Sequence, residues 1–342
     1  MESEACYPYT DETINILCAT DNNYAPYCGI MLTSLFESNK DSHFNVFVFV
    51  DSDISESNKK SFLKLGRKYG HGIELKSIDE SRVSGYPIRD DSNITRPTYY
   101  RLLAADLLPE CVHRIIYLDC DVIVKGDIKS LWKVDLEGVA IAGVKDYYLC
   151  KFGRGWRPDT PHDYFNAGVM VLNLDFWRMN GVSRCVFDYL WENRNDKAKL
   201  YYMDQDALNA MLYNKKALLP ERFNYQVGMF ENDMWQYYSE DQKSVFIEEG
   251  KFISVIHYLG IKPWKTKMMG PFFYEWERIR RKSLWPHCRV RLPLKKRVKF
   301  FIKRVFFPNL MEKQRLETWY VTDEISMFPK FVGARGHLNL ER

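Results

Sequence analysis

The sequence predicts an α/β fold built on a doubly wound, mostly parallel sheet flanked by helices. Strand-length apolar runs alternate with helical segments through the first half of the chain. Those runs are apolar throughout rather than alternating, as strands buried on both faces are. The 342 residues are 46% hydrophobic and 27% charged, ordinary for a globular chain and enough for a sizeable core. The length fits about two domains, or one large α/β domain with an appendage.

The elements follow in order. Ile14–Ala19 reads as the first strand, and Thr20-Asp21-Asn22-Asn23 as the polar turn after it. A helix is expected from Pro26 to Glu37, since proline suits a first turn. Phe44–Val50 is the second strand. Ser55 is placed to cap a helix running to Tyr69, with Glu56 in its first turn. Ile73–Ser77 is the third strand, and Tyr99–Leu107 reads as helical. Arg114–Leu118 leads into a pair of aspartates. Val139–Val144 and Phe165–Leu174 are further strands, and Asp175 is expected to cap the helix that follows. Gln205–Leu212 is a helix opened by Asp204, and Val255–His257 a short strand. No internal repeat or low-complexity segment interrupts the chain.

The chemistry concentrates in Ile115-Ile116-Tyr117-Leu118-Asp119-Cys120-Asp121-Val122-Ile123-Val124. Two carboxylates interrupt an apolar run. A buried charge must be paired or bound to a cation, and residues i and i+2 of a strand point the same way. That suits a hard divalent ion left partly open to phosphate oxygens. The plainer alternative is a strand end running into a solvated turn. In open α/β sheets ligands bind beyond the carboxyl ends of strands, so Asp21 shares a cleft with Asp119 and Asp121.

Other residues add to this cleft. His257 ends a strand and precedes Gly260, Lys262 and Pro263 in a turn. Glycine permits close approach to a phosphate, lysine supplies a point charge, and His257 with the two aspartates makes an O,O,N set suited to Mn²⁺. Asn22-Asn23-Tyr24 offers amides for a pyrimidine edge and a ring to stack on it; a plain turn is the alternative. In Met203-Asp204-Gln205-Asp206, Asp204 or Gln205 sits beside a reacting sugar, unless the acids only serve the helix start. Arg101 is a phosphate contact or a surface arginine.

Six segments together resemble family 8 glycosyltransferases. They are Ala19–Tyr24, Thr98–Leu102, Tyr117–Asp121, Phe165–Gly168, Asp204–Asp206 and His257–Trp264, in the family's order across residues 14–265. The resemblance implies a GT-A type, Rossmann-like fold and a UDP-sugar donor, UDP-galactose or UDP-glucose. It implies that Asp119, Asp121 and His257 hold Mn²⁺ (or Mg²⁺), and that Ala19, Asp21, Asn23 and Tyr24 hold uridine. Arg101 and Asp119 would lie near phosphate, ribose or sugar, and Gly260 and Lys262 would neutralise the diphosphate. Asp146, Asn166, Asp204 and Gln205 would surround the transferred hexose. Many members have one more residue between the glycine and Lys-Pro-Trp.

The expected reaction is retaining hexosyl transfer to a saccharide or lipid-linked glycan acceptor, in lipopolysaccharide or other surface-glycan synthesis. Same-face attack is preferred, because the Gln205 amide oxygen is a poor nucleophile. Two rivals are weighed: a haloacid-dehalogenase-type phosphatase, which also uses an Asp-x-Asp motif, and a catalytically dead glycan- or nucleotide-binding protein. Residues 1–270 are expected to form the catalytic domain and 271–342 a basic, aromatic segment. Twelve Lys or Arg and no acid lie between Arg278 and Arg304, and residues 305–342 carry five of each sign. With the chain at +4, the first 277 residues therefore sum to −8. That basic stretch, with Trp285, Phe300, Phe301, Phe306 and Phe307, suits an anionic membrane surface rather than nucleic acid. Lys151–His162 is a candidate acceptor loop. The eight scattered cysteines lack a Cys-x-x-Cys pair, and Met1–Cys6 lacks an apolar leader. Both point to a cytoplasmic protein with reduced thiols, peripheral at the inner face of the membrane.

Overall fold

The computed structural model describes residues 13–88, 95–147, 163–230, 238–260, 262–264 and 271–288. The candidate acceptor loop Lys151–His162 and the basic stretch beyond residue 288 lie outside the described residues.

Strand β1 (Thr13–Thr20) is followed by helix α1 (Ala25–Ser38), β2 (His43–Val50), α2 (Glu56–Tyr69) and β3 (Gly72–Ser77). Ser55 Oγ accepts the Asn58 N–H at the start of α2, and Gly70, left-handed at φ 74°, ends it. The next segment differs from expectation. Arg96–Leu103 is a 3₁₀ helix, and only Ala104–Leu107 turns as α. Pro97 opens it, and the Arg101 side chain donates back to the Thr98 carbonyl at 2.9 Å. Then come β4 (Arg114–Leu118), β5 (Val122–Val124), β6 (Ile141–Lys145) and β7 (Phe165–Asn173). Helices α3 (Leu174–Asn180), α4 (Val182–Glu192) and α5 (Asp204–Met211) precede β8 (Lys216–Leu219) and β9 (Tyr225–Gln226). Helix α6 (Glu240–Glu249), β10 (Val255–His257) and α7 (Pro271–Lys282) follow.

The main sheet has seven strands in the order β3-β2-β1-β4-β7-β6-β8. Six run the same way, and β7 is antiparallel to both β4 and β6. The chain winds outward from β1 to β3, then returns to lay β4 on the other side of β1. The crevice between β1 and β4 is thus the switch point where such sheets bind ligands. Because β7 alone is reversed, its first residues meet the carboxyl ends of its neighbours. Asp119 N–H donates to the Gly168 carbonyl at 2.8 Å across that edge.

Both faces of the sheet are covered. Leu17, Phe47, Phe49, Tyr117, Met170 and Leu172 pack on one side. Ile16, Cys18, Val46, Val48, Ile116 and Val171 pack on the other, against α1 and α2. The alternation along β1, with both sets buried, is why its sequence is apolar throughout.

The run Ile115–Val124 is not one strand. β4 stops at Leu118, Asp119-Cys120-Asp121 turns out of the sheet, and β5 joins a second sheet ordered β5-β10-β9. The two aspartates converge because the chain turns there, not because a strand alternates. Two caps also differ. The Asn173 side chain, not Asp175, accepts the Phe176 N–H at the start of α3. Asp204 is the first residue of α5, after Met203 at φ 54°, rather than its cap. Of the described cysteines, Cys18 and Cys28 are buried and Cys185 is exposed.

Candidate active site

Antiparallel pairing of β5 with β10 sets His257 opposite Val122, one residue from Asp121. Donor atoms of Asp119, Asp121 and His257 lie within 4.8 Å of one another. The histidine is 1% exposed. Its Nδ1 lies 2.8 Å from Asn224 Oδ1, while its buried Nε2 has no hydrogen-bond partner.

The hydrogen-bond network fixes that orientation. Gly168 N–H donates to Asn166 at 3.0 Å, so the atom facing it is Oδ1. Asn224 Nδ2 then donates to the same oxygen at 2.9 Å, leaving Asn224 Oδ1 toward the histidine. His257 therefore carries its proton on Nδ1 and turns the Nε2 lone pair toward the carboxylates, 3.3 Å from Asp121 Oδ1. A Cβ at Gly168 would overlap His257 Cε1 and come within 2.8 Å of Asp119 Oδ2, so only glycine fits this wall. Two hard oxygens, one imidazole nitrogen, an orphaned buried lone pair and a bare backbone wall fit a divalent cation.

Charge is balanced around these ligands. Burial would raise the Asp121 carboxyl, but the Lys262 ammonium beside it outweighs burial and holds it well below the usual carboxylate range. The Lys262 ammonium pairs with Asp121 Oδ2 and donates to the Tyr258 carbonyl at 2.7 Å. Gly260, at φ 73°, makes the turn that carries it. Asp119 Oδ1 accepts the Tyr117 hydroxyl at 2.8 Å and lies 3.3 Å from Arg101 Nη1.

Arg101 is not on the surface; it is 6% exposed. It bridges Asp119 and Asp204, its Nε lying 3.0 Å from Asp204 Oδ2. It also donates to the Ala167 carbonyl at 2.5 Å. Burial lowers its basicity, and Asp119 and Asp204 more than restore it. Asp204 accordingly faces inward, accepting the Thr98 hydroxyl at 2.6 Å. Burial raises its pKa and Arg101 opposes that.

Three further residues meet at the same edge. Asp146 follows β6, Asn166 opens β7 and Gln205 opens α5. Asn166 Nδ2 and Gln205 Nε2 each donate to Asp146 Oδ2 at 3.1 Å. Gln205 Oε1 accepts the Ala167 N–H at 2.9 Å. A continuous network thus runs from the candidate metal ligand His257 through Asn224, Asn166 and Asp146 to Gln205.

The loop expected to hold the nucleotide lies after β1. Asp21 accepts the Tyr24 N–H at 2.7 Å and the Thr95 hydroxyl at 3.2 Å. Asn23 is exposed and the Ala19 backbone accepts the Cys120 thiol at 3.2 Å. Tyr24 meets Trp264 edge-on at 6.2 Å, and Trp264 stacks on Tyr27 at 3.9 Å. Asn22, read as a base contact, instead accepts N–H groups from Ser55 and Asn58, each at 2.9 Å.

A family model described as "Glycosyl transferase family 8" matches residues 15–268. The chain belongs to glycosyl transferase family 8. Among its relatives, General stress protein A of Bacillus subtilis (strain 168) is 31% identical over 265 residues, 77% of this chain and 91% of that protein. Lipopolysaccharide 1,3-galactosyltransferase of Salmonella typhimurium is 26% identical over 290 residues, covering 83% and 82% of the two chains. A solved structure of the galactosyltransferase LgtC with donor and acceptor sugar analogues superposes with a TM-score of 0.66 at 24% identity, covering 84% of this chain and 100% of that one. That likeness shows the GT-A fold. The protein is a sugar-transferring enzyme, and its family and relatives support a retaining hexosyltransferase of surface-glycan synthesis. The phosphatase reading of the Asp pair is thereby set aside.

Sequence reasoning missed several residues of this family 8 site. Asn224, fully buried, orients the metal histidine yet sits between short elements with no spacing signal. Gly168 and Tyr117 were quoted in motifs but given no role. Asp206 was assigned to helix chemistry. It is buried, accepts the Tyr164 hydroxyl at 2.6 Å and the Tyr202 N–H at 2.5 Å, and burial pushes its pKa up to about 7. Among the described residues no helix is long and apolar enough to cross a membrane.

Proposed function

We propose that the protein transfers galactose or glucose, with retention, from a UDP-sugar to a saccharide or lipid-linked acceptor in lipopolysaccharide or other surface-glycan synthesis. The observation that carries this reading is the meeting of Asp119, Asp121 and His257 beside the loop Asp21–Tyr24, which leaves β1 next to the Asp pair leaving β4. Mn²⁺ (or Mg²⁺) on that triad would supply Lewis-acid neutralisation of a diphosphate leaving group. Tyr24 offers a ring to the uracil, beside Asp21 and the exposed Asn23. Ala19 ends the strand that positions them. Lys262 and the Gly260 turn adjoin the triad, where a leaving diphosphate gathers negative charge. Asp146, Asn166 and Gln205 present amide and carboxylate groups to the hydroxyls of the hexose.

Retention needs either two displacements or attack from the leaving-group face. Gln205 Oε1 is a neutral oxygen held by the Ala167 N–H, and Asp204 is turned to Arg101. Both facts favour same-face attack, with a diphosphate oxygen accepting the acceptor's proton. A trapped glycosyl adduct on either residue would overturn this route. The reaction is placed in the cytoplasm, with the basic residues Arg289–Arg304 and Phe300, Phe301, Phe306 and Phe307 proposed for the anionic inner face of the membrane; Arg280 and Trp285, counted with them in the sequence, are buried and are not part of that surface. Failure of anionic vesicles to retain the protein at low salt would remove that attachment.

The test is release of UDP from a panel of UDP-sugars without acceptor, in Mn²⁺ or in chelator. Slow metal-dependent hydrolysis of one donor is expected. No release, together with no binding of UDP in Mn²⁺, would sink the proposal and favour a dead glycan- or nucleotide-binding fold.

A further inference from the structure

Residues 271–288 lie beyond the family match, which ends at residue 268. They nevertheless return to the nucleotide loop from two sides. On one side, Trp276 lies 6.0 Å from Trp264, the ring that stacks on Tyr27 and meets Tyr24 edge-on. On the other side, Trp285 is sunk between α1 and α2. Its ring lies over Gly29, where any Cβ would overlap it, and 5.2 Å from Phe62. Its indole N–H donates to Asn58 Oδ1 at 3.0 Å.

That last bond has a directional consequence. An indole nitrogen only donates, so Asn58 must turn its oxygen to Trp285 and its amide nitrogen the other way. Asn58 Nδ2 then donates to Asn22 Oδ1 at 2.9 Å and to the Asn22 carbonyl at 3.3 Å. Asn22 sits between Asp21 and Asn23, the residues assigned to the uridine. The indole N–H thus helps fix which end of the Asn58 amide faces Asn22, and Asn58 together with the Ser55 N–H holds that loop residue.

We infer that Pro271–Cys288 is a clasp that holds the loop Asp21–Tyr24 in its nucleotide-binding shape, with Trp285 and Asn58 as positioning residues for the donor. This rests on the proposed UDP-sugar reading. The Trp285–Asn58 relay touches none of Asp119, Asp121 and His257, so its loss acts on the nucleotide and not on the cation.

The experiment uses the full chain and two variants, Trp285→Phe and Asn58→Ala. Phenylalanine keeps an aromatic ring in the cleft and removes the N–H together with the outer indole atoms that lie over Gly29, so Asn58→Ala, which leaves Trp285 in place, isolates the hydrogen bond. Asn58→Ala removes the relay from the partly exposed first turn of α2, where folding is least at risk. The probes are UDP titrated by calorimetry in saturating Mn²⁺ and Mn²⁺ alone followed by electron paramagnetic resonance. Loss of one positioning hydrogen bond is expected to weaken UDP by roughly fivefold in each variant, with Mn²⁺ affinity unchanged. The donor KM rises by the same factor and kcat holds. The double variant is no worse than either single one, because both break the same relay. If either variant binds UDP as tightly as the parent and loses only thermal stability, the segment is a structural cap and the inference fails. A parent chain that binds no UDP would overturn the proposed function, and this inference with it.

Discussion

Asn224 illustrates what a single buried amide does at this site. It accepts the His257 Nδ1 proton and so turns Nε2 toward the carboxylates. Asn224→Ala is expected to weaken Mn²⁺ binding by roughly 10- to 100-fold, as loss of such outer partners does; metal titration by paramagnetic resonance checks it. Gly168→Ala is expected to abolish the same binding, since its methyl would overlap the imidazole; tight Mn²⁺ binding by that variant would refute the wall described above. Asp206 gives a pH prediction. Its folded pKa is raised to about 7 by burial, so between the ordinary carboxylate range and that value the folded state holds a proton that the unfolded chain releases. Its contribution to stability is present at low pH and lost as pH rises through about 7. Melting curves from pH 5 to 8 should show the decline, and Asp206→Asn should flatten it.

At the scale of elements, β1, β2 and β3 were legible to within a residue or two. Each is an apolar run bounded by polar turn residues, and local chemistry suffices for that. Ser55 was legible as a cap for the same reason. Gly70 closes the same helix at φ 74°, and Gly70→Ala is expected to cost about 1 kcal/mol, measured by urea unfolding. The failures have causes of both kinds, near and distant in sequence. Arg96–Leu103 winds as 3₁₀ behind Pro97, with the Arg101 side chain folded back onto the Thr98 carbonyl. Asn173 rather than Asp175 caps α3, since both residues are competent and only the chain's exit from β7 selects one. Ile115–Val124 divides between two sheets because Val122–Val124 has an antiparallel partner more than 130 residues away.

For the whole molecule, the candidate site is an assembly of chain segments that only the two sheets bring together. β1 supplies the loop proposed for the nucleotide, β4 the Asp pair, β7 the glycine wall, and β10 of the second sheet the histidine. Ligand binding should therefore register as global stability. UDP at about 100 times its dissociation constant is expected to add about 2.7 kcal/mol. The matching rise in melting temperature should appear in Mn²⁺ and vanish in chelator. A UDP-induced shift that persists in chelator would separate nucleotide binding from the metal site.

The sequence by itself determined the α/β class, the position of most strands, and the residue types of a metal and nucleotide site. Asp119, Asp121 and His257 were named because carboxylates and a histidine beside buried strands need a reason to be there. The tertiary structure alone decided the directions. It turned Arg101 inward to Asp119 and Asp204, assigned Asn22 to α2, recruited Asn224 to the histidine, and returned Trp285 to the nucleotide loop. The reason is physical. Burial and periodicity are carried by neighbours in sequence, whereas the partner of a polar group is chosen by strand order, by the reversal of β7 and by which backbone N–H lies within about 3 Å.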